Sequence, residues 1–409
     1  MRNVLGAVCT LCGAEYEAGA ETTTCPKCGG ILEITYDYGY IKKHVGRQEL
    51  AQCGDRSMWR YRALLPVGED WELPGLRAGG SPIYDGARLA SELGIKKLWI
   101  KDDGVNPTAS LKDRASAMAV VRAIAAGQRT VACSSTGNAA SSLAGAAAAT
   151  GLESYIFVPE RAPKGKVAQL LMFGAHVISV RGNYEDTFRL SAEAIDRWGW
   201  YNRNAAINPY LSEGKKTVSY EIAEQLAWHV PDYVALSVGD GCTIAGVWKG
   251  FKDMYAAGLT DRLPRLVSVQ ASGCCPVNNA YTGGYDELVP MEENTIADSI
   301  AVGVPRNFRK ALNALRESDA VAVNVSDEEI LSAMRLLGRE AGVFGEPAGV
   351  TGAAGLKKAC EAGLIPADAE VCAIVTGNGL KDIATAMKAA GEPISCAPDM
   401  AELTGKLGI

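Results

Sequence analysis

The chain has 409 residues, of which 48% are hydrophobic and 22% are charged, a composition that disfavours extended disorder and coiled coils. At this length we expect two or three domains. The 41 basic and 47 acidic residues give a net charge of -6, which offers no general basic surface for nucleic acid.

The N-terminus does not have the pattern of a signal peptide. Its apolar run is too short, and a Cys pair occupies the place of the apolar core of such a peptide. No stretch reaches the ~20 apolar residues that a transmembrane helix needs. We therefore expect a cytoplasmic protein without a membrane partner.

Four cysteines near the N-terminus form two Cys-x-x-Cys pairs, and each pair is followed by Gly. The pairs are Cys9 with Cys12 and Cys25 with Cys28. This spacing predicts a zinc-ribbon-like segment over residues 1–40, in which four thiolates bind Zn²⁺ and leave no position for a catalytic water. There are two alternatives: the zinc is catalytic, or the segment keeps its fold without the metal.

Further along the chain, short apolar runs rich in β-branched residues alternate with helical segments. This alternation predicts an α/β fold with two open, mostly parallel sheets flanked by helices, but periodicity does not show where the chain crosses between the sheets. We expect the two α/β subdomains to span residues 41–395, followed by a C-terminal tail, 396–409. The predicted strands cover residues 98–101, 130–133, 155–158, 177–180, 234–238, 266–269, 321–325 and 371–375.

Ligands of open α/β sheets bind where strands end and helices begin, so we expect the site in the turns after the predicted strands. Residues 106–114 read Asn-Pro-Thr-Ala-Ser-Leu-Lys-Asp-Arg, with Ser110 as the expected helix cap and Lys112 in the first helical turn. A cation there opposes the helix dipole at a cost of about 0.3 to 1 kcal/mol. Lys112 therefore lies either on a solvated helix face or in a cleft, where a lowered pKa makes it a nucleophile.

Three more turns have unusual sequences. Residues 134–138 read Ser-Ser-Thr-Gly-Asn and precede a helix, a favourable place for a carboxylate or phosphate. Residues 239–243 read Gly-Asp-Gly-Cys-Thr, and their glycines let backbone N–H groups approach a phosphate. Residues 376–382 read Thr-Gly-Asn-Gly-Leu-Lys-Asp. Each turn alone is equally consistent with an ordinary turn or helix cap.

Together, in this order and spacing, the four turns resemble the pyridoxal-phosphate enzymes of the tryptophan-synthase-β type, and the threonine synthase family most closely. The turn at Lys112 is similar to the family's NPTGSFKDR, residues 134–138 to ASTGN, and residues 376–382 to TGHGLKD. Glu346-Pro-Ala resembles EPAS, and residues 214–217 resemble the end of EGQKT. The resemblance extends over residues 59–382 and implies the tryptophan synthase β-like fold and a homodimer.

The resemblance also implies roles for individual residues. Lys112 binds pyridoxal 5'-phosphate covalently and then carries protons during the reaction. Asn138 bonds to the 3'-oxygen of the cofactor ring, and Thr376 faces the ring nitrogen. The other implied contacts are Gly239, Asp240, Gly241, Cys242 and Thr243 to the cofactor phosphate, and Ser110, Ser135, Thr136, Asn208 and Lys215 to the amino-acid substrate.

The sequence departs from the family where the tail of the substrate is expected. Leu211 stands where the family has an Arg that binds phosphate, and Lys215 could replace it only as a point charge. Asp240 lies beside the expected cofactor phosphate, so its carboxylate must turn away to accept backbone N–H bonds. Leu111 and Asn378 also replace a Phe and a His of the family.

Three functions follow as alternatives. The first is the family's reaction, in which O-phosphohomoserine and water give threonine and phosphate. The second is a β-elimination or β-replacement on another amino acid, such as serine or threonine deamination or thiol or sulfonate transfer, and Leu211 favours it. The third is a non-catalytic protein that binds partners through its zinc ribbon, and Lys112 argues against it.

Overall fold

The computed structural model describes residues 1–17, 23–162, 164–204 and 207–409. The chain begins with a three-stranded antiparallel sheet in the order β2–β1–β3. These strands are β1 (Val4–Cys9), β2 (Glu15–Tyr16) and β3 (Leu32–Tyr36).

The N-terminal sheet has little apolar core of its own. Leu32 and Ile34 of β3 instead pack in one cluster with Trp59 and Tyr61, which lie outside the sheet. Burial of such side chains stabilises by about 1.5 to 3 kcal/mol each, so this shared cluster fixes the sheet on the rest of the molecule.

Ten further strands follow within the described residues, and all eight strands predicted from the sequence are confirmed among them. The two that were not predicted, β4 and β9, have three and two residues, too few for a periodicity to emerge. The strands are β4 (Ile83–Asp85), β5 (Lys97–Asp102), β6 (Thr130–Ser134), β7 (Glu153–Pro159), β8 (His176–Val180), β9 (Tyr201–Asn202), β10 (Tyr233–Ser237), β11 (Arg265–Ala271), β12 (Val321–Val325) and β13 (Glu370–Val375).

Helices connect and flank the strands. Several end at a glycine in the left-handed conformation, such as Gly94, Gly151 and Gly342, which closes the last turn without steric cost. The helices are α1 (Tyr38–His44), α2 (Arg47–Gln52), α3 (Ala87–Leu93), α4 (Lys112–Ala125), α5 (Asn138–Thr150), α6 (Lys164–Met172), α7 (Tyr184–Trp198), α8 (Tyr210–Lys215), α9 (Thr217–Gln225), α10 (Cys242–Ala256), α11 (Pro276–Gly283), α12 (Phe308–Glu317), α13 (Asp327–Ala341), α14 (Pro347–Glu361), α15 (Ile383–Ala390) and α16 (Met400–Leu407).

The strands after the N-terminal sheet form two separate sheets, as the sequence predicts. In the part of the chain that the structure describes, the larger has six strands in the order β12–β11–β10–β13–β5–β4. Of these strands, only β4 runs antiparallel to its neighbour. The smaller has four parallel strands in the order β8–β7–β6–β9. Both belong to the α/β class that the alternation of strands and helices indicates.

The structure also shows where the chain crosses between the sheets. It leaves the larger sheet after β5 and α4, completes the smaller sheet from β6 to β9, and returns to the larger sheet at β10. The smaller sheet is therefore an insertion between two strands of the larger one. In the described part of the chain, every helix is too short or too polar to cross a bilayer.

Candidate active site

The turn before Lys112 and the turn after β13 are joined by backbone hydrogen bonds. The N–H of Leu111 donates to the carbonyl of Thr376 at 2.9 Å, and the N–H of Asn378 donates to the carbonyl of Ala109 at 3.0 Å. The prediction that Ser110 caps α4 is wrong, because this pairing holds Ser110 against Gly377 and Leu111 takes the capping position.

Ala109 in the same turn adopts a left-handed backbone conformation, with φ of 68°. This conformation costs a non-glycine residue roughly 1 to 2 kcal/mol. The similar family motif has a glycine here, so the chain retains the backbone shape with a less suitable residue. Strain of this kind persists only where surrounding contacts hold it, and the hydrogen bond from Asn378 is one such contact.

Lys112 lies near two other cations, Arg203 and Lys215, each 1% exposed. Burial, followed by the positive charges of Lys215 and Arg203, lowers the pKa of Lys112 to about 8. A lysine with this pKa is partly neutral near neutral pH, and the neutral amine is the nucleophilic form. The location in a cleft, and not on a solvated helix face, is thus the one that the structure supports.

The 134–138 turn leads from β6 into α5. The side chain of Asn138 donates to a carboxylate oxygen of Glu346 at 2.5 Å. Burial raises the pKa of Glu346, and the hydrogen bond from Asn138 opposes that effect. Ser135 and Thr136 directly precede Gly137, the N-cap of the same helix, and the first backbone N–H groups of a helix favour an anion.

The 239–243 loop connects β10 to α10 and packs tightly against neighbouring backbone. A Cβ atom on Gly239 would lie 2.8 Å from the Cα of Ile300, and one on Gly241 would lie 2.8 Å from the Cβ of Ala311. Gly241 also has φ of 90°. Both positions therefore require glycine, and the loop, with Thr243 in the first turn of α10, presents backbone N–H groups at a helix N-terminus.

The carboxylate of Asp240 accepts two hydrogen bonds from protein groups. One oxygen accepts the backbone N–H of Arg306 at 2.8 Å, and the other accepts the thiol of Cys242 at 3.0 Å. Burial raises the pKa of the Cys242 thiol to about 12, so the thiol keeps its proton. Lys215 lies beside Cys242 and close enough to Asp240 for the carboxylate charge to act on it, so the loop has a cation beside it.

A cavity of about 500 Å³ lies where the smaller sheet meets the larger one. Its wall includes Ser134 and Ser135 at the end of β6, Arg203 and Asn204 just after β9, and Asp240 after β10. The remaining wall residues are Cys133, Ala139, Glu185, Phe188, Met291, Glu292, Glu293, Val302, Gly303, Val304 and Arg306. The carboxyl ends of strands from both sheets thus meet at one opening, the usual place for a ligand in such folds.

Asn208 and Leu211, which the sequence comparison placed at the substrate, do not belong to the wall of this cavity. Asn208 is 1% exposed, and its amide bonds within its own segment, to the carbonyl of Asn202 and the N–H of Tyr210. Leu211 is fully buried and packs in the apolar cluster of α4 and α5. Its side chain therefore belongs to the core.

The described residues fit a bound pyridoxal phosphate. Lys112 supplies a partly neutral amine, and the 239–243 loop supplies a glycine-lined helix N-terminus for the phosphate. The hydroxyl of Ser110 is buried without a partner among the described residues, so a polar group is expected beside it. Thr376 directly follows β13, and its carbonyl accepts the backbone N–H of Leu111, the residue before Lys112. The roles of individual residues toward cofactor and substrate stay predictions.

Two residues of this region were not predicted from the sequence. Glu346 stood in a motif that resembles the family's, yet its contact with Asn138 is visible only in three dimensions. Arg203 follows β9, which is too short to be predicted, so the rule that functional residues follow strands could not be applied to it.

The four N-terminal cysteines come together as their spacing predicts. Their sulfur atoms all lie within 4.8 Å of one another, and the Cys9–Cys28 and Cys12–Cys25 pairs are 3.5 and 3.7 Å apart. Zn–S bonds of about 2.3 Å in a tetrahedron place sulfur atoms roughly 3.8 Å apart. The geometry therefore fits a zinc ion with four thiolate ligands.

Comparisons with known proteins agree with the site. A family model described as pyridoxal-phosphate dependent enzyme matches residues 76–377. The chain is 41% identical over 394 residues to a threonine synthase of Methanocaldococcus jannaschii, covering 96% of each protein. It is 42% identical over 387 residues to a threonine synthase of Methanosarcina acetivorans, covering 94% of each.

Solved structures share the fold. The processed form of threonine deaminase isoform 2 from Solanum lycopersicum superposes with a TM-score of 0.66 at 22% identity, over 76% of this chain and 87% of that one. Diaminopropionate ammonia lyase from Escherichia coli gives a TM-score of 0.65 at 22% identity, over 76% of this chain and 86% of that one. At this identity the likeness concerns the fold, and it confirms the tryptophan synthase β-like architecture. With the near full-length sequence relatives, it shows that the chain belongs to the pyridoxal-phosphate-dependent enzymes and, within them, to the threonine synthase family.

Proposed function

We propose that this enzyme converts O-phosphohomoserine and water to threonine and phosphate. The observation that carries the proposal is the position of Lys112, a lysine with a lowered pKa that lies near two buried cations and close to a strand-end cavity. A substrate with a carboxylate and a phosphate supplies the negative charge that such surroundings need. The relatives that share 41% and 42% identity with the chain carry the name of this activity.

The chemistry divides between the cofactor and the protein. When bound, pyridoxal phosphate supplies an electron sink next to the amino acid's Cα. Lys112, partly neutral near pH 8, accepts and returns protons at the substrate carbons. The α5 N-terminus with Ser135 and Thr136 orients the substrate carboxylate. Asn138, fixed by Glu346, orients the ring oxygen of the cofactor.

One observation favours the second function, an elimination or replacement on another amino acid. Leu211 packs in the apolar core, so position 211 presents no cation to the cavity. A missing charge-assisted contact reduces affinity for a phosphate by about tenfold to a hundredfold unless another cation replaces it. The choice between the two functions depends on whether the cavity binds a substrate phosphate by other means.

The test is an assay of the cofactor-loaded protein with O-phosphohomoserine, with serine, threonine and O-phosphoserine in parallel. We expect phosphate and threonine to appear in equal amounts from O-phosphohomoserine. Turnover of another amino acid, with none of O-phosphohomoserine, would establish the second function instead.

Three further proposals concern the whole chain. We infer that Cys9, Cys12, Cys25 and Cys28 hold a structural zinc ion, which the spacing of their sulfur atoms supports. The catalytic region is proposed to span residues 41–395, between the ribbon and the tail at 396–409. A homodimer and a cytoplasmic location, both expected from the sequence, stay predictions.

A further inference from the structure

Arg203 is a buried cation, and part of its guanidinium group has no hydrogen-bond partner among the described residues. It is 1% exposed, and its Nε donates to the hydroxyl of Ser116 at 3.0 Å. Its Nη2 is buried and has no hydrogen-bond partner among the described residues. No carboxylate of the described chain forms an ion pair with it, unlike Arg114, which bonds to two carboxylates. A buried guanidinium of this kind needs an anion to offset its desolvation.

Two neighbouring donors are also unused. The Nδ2 of Asn204 and the hydroxyl of Ser134 are buried and have no partner among the described residues. Asn204 is held in place because its Oδ1 accepts the backbone N–H of Ser134 at 3.1 Å, which leaves the Nδ2 end of the amide available. All three side chains line the 500 Å³ cavity, from the ends of the paired strands β6 and β9.

The three donors differ in position from the loop assigned to the cofactor phosphate. That loop, 239–243, comes from the larger sheet and has Lys215 beside it. Arg203, Asn204 and Ser134 come from the smaller sheet. The three donors thus line the cavity from the side of the smaller sheet, whereas the 239–243 loop contributes Asp240 to its wall.

We propose that Arg203, together with Asn204 and Ser134, binds the phosphate group of the substrate in place of the arginine that the family motif has at position 211. The proposal rests on the function proposed above. It explains how the cavity retains a guanidinium for the phosphate although Leu211 belongs to the core. The guanidinium of Arg203 offers its unused Nη2 to the phosphate in a fixed direction, whereas the ammonium of Lys215 is a point charge.

The test compares holoenzyme with Arg203→Met, Arg203→Lys and Arg122→Met. Arg122 is a matched control, because it is also a buried arginine but stacks on Tyr210 and Trp71 away from the cavity. We measure KM and kcat for O-phosphohomoserine, the affinity for inorganic phosphate by calorimetry and the affinity for pyridoxal phosphate by absorbance.

Arg203→Met should raise KM, and weaken inorganic phosphate binding, by about tenfold to a hundredfold. The affinity for pyridoxal phosphate should fall much less, because the cofactor loses only the effect of Arg203 on the pKa of Lys112. Arg203→Lys should lose less, because the charge remains without the planar guanidinium. Arg122→Met should lower thermal stability and leave KM and phosphate binding unchanged. If Arg203→Met does not fold, the affinity of Arg203→Lys for inorganic phosphate tests the proposal in its place. An affinity of Arg203→Lys equal to that of the wild type contradicts the proposal.

Two results would overturn the assignment. Weakened cofactor binding with an unchanged KM means that Arg203 holds the cofactor phosphate instead. Unchanged KM and phosphate affinity in Arg203→Met mean that it holds neither. If the wild type does not turn over O-phosphohomoserine at all, the proposed function fails, while calorimetry with inorganic phosphate still determines whether Arg203 forms an anion site.

Discussion

Lys112 illustrates how backbone contacts and charge together prepare one side chain for covalent chemistry. The turn that carries it is bonded to the turn after β13, which fixes where α4 begins. The nearby cations then disfavour its protonated form, in addition to burial. A first-turn lysine could be recognised from the sequence, but its lowered pKa could not, because Arg203 and Lys215 are distant in sequence.

The pH dependence of cofactor attachment tests this account. The folded-state pKa is about 8, below the usual 10.5, so the reactive neutral amine increases as pH rises through 8. Reconstitution of the apoenzyme with pyridoxal phosphate should accelerate about fivefold from pH 7 to 8 and less than about twofold from 8 to 9. The rate is measured by visible absorbance and borohydride trapping. Lys112→Ala should trap no cofactor, and covalent cofactor in that variant contradicts the assignment.

At the scale of elements, the N-terminal sheet is connected to the helix that carries Lys215. The hydroxyl of Tyr36, on β3, donates to the carboxylate of Glu213 on α8 at 2.5 Å, and Lys216 pairs with the same carboxylate. Lys310 also donates to the carbonyl of Leu32 at 2.6 Å. Since these groups are buried, a disturbance of the N-terminal sheet removes one of the partners of the Glu213 carboxylate, close to Lys215.

Substitution of Cys25 by Ser should therefore affect more than metal content. We expect release of zinc and a loss of about 1 to 3 kcal/mol of unfolding free energy from the Tyr36–Glu213 contact alone. Zinc is measured by elemental analysis and stability by urea unfolding. Cys53→Ser is the control, because Cys53 lies outside the cluster of four cysteines. This variant should retain both its zinc and its unfolding free energy. Full zinc content in Cys25→Ser would rule out the four-cysteine site.

The sequence predicts elements well where the signal is local. The eight strands are continuous apolar runs, because parallel strands are covered on both faces. The cysteine spacing likewise predicts the cluster, since each pair closes its own turn. The two-residue strand β9 produces no such pattern, so Arg203 and Asn204 could not be predicted as strand-end residues.

At the scale of the whole molecule, buried ion pairs connect the start of α4 to distant parts of the chain. Arg114 bonds to Asp103 and to Glu221 of α9, at 2.7 and 2.6 Å, and Lys101 of β5 pairs with Glu221 at 2.7 Å. Burial alone raises the pKa of Glu221, but Arg114 and Lys101 more than offset it and hold that pKa below its usual 4.5. Lys216 and Lys249 similarly lower the pKa of Asp253.

Acid should therefore destabilise the protein. The contribution of these two carboxylates is present above about pH 4.5 and is lost as pH falls, because the unfolded chain binds their protons first. Each adds about 1.4 kcal/mol per pH unit to the dependence of the unfolding free energy. Urea unfolding from pH 7 to 3 measures it. Asp298→Asn, which removes an exposed pair with Lys166, should show the same dependence, and a flat profile in the wild type contradicts the argument.

The global arrangement could be predicted only in part. The class and the presence of two sheets follow from the alternation of strands and helices. The point at which the chain crosses between the sheets does not follow from this alternation, because it depends on which strands pair. For example, β5 pairs with β13 near the other end of the chain. The buried ion pairs are hidden for the same reason, since their partners come from separate elements.

The insertion of the smaller sheet has a consequence for the newly made chain. At about 5 to 20 residues per second, the ribosome delivers β13 tens of seconds after β5, the strand with which it pairs. The smaller sheet, whose four strands lie together in the chain, is complete long before. One edge of β5 stays unpaired meanwhile, so chaperone dependence and aggregation during synthesis should be determined by the larger sheet.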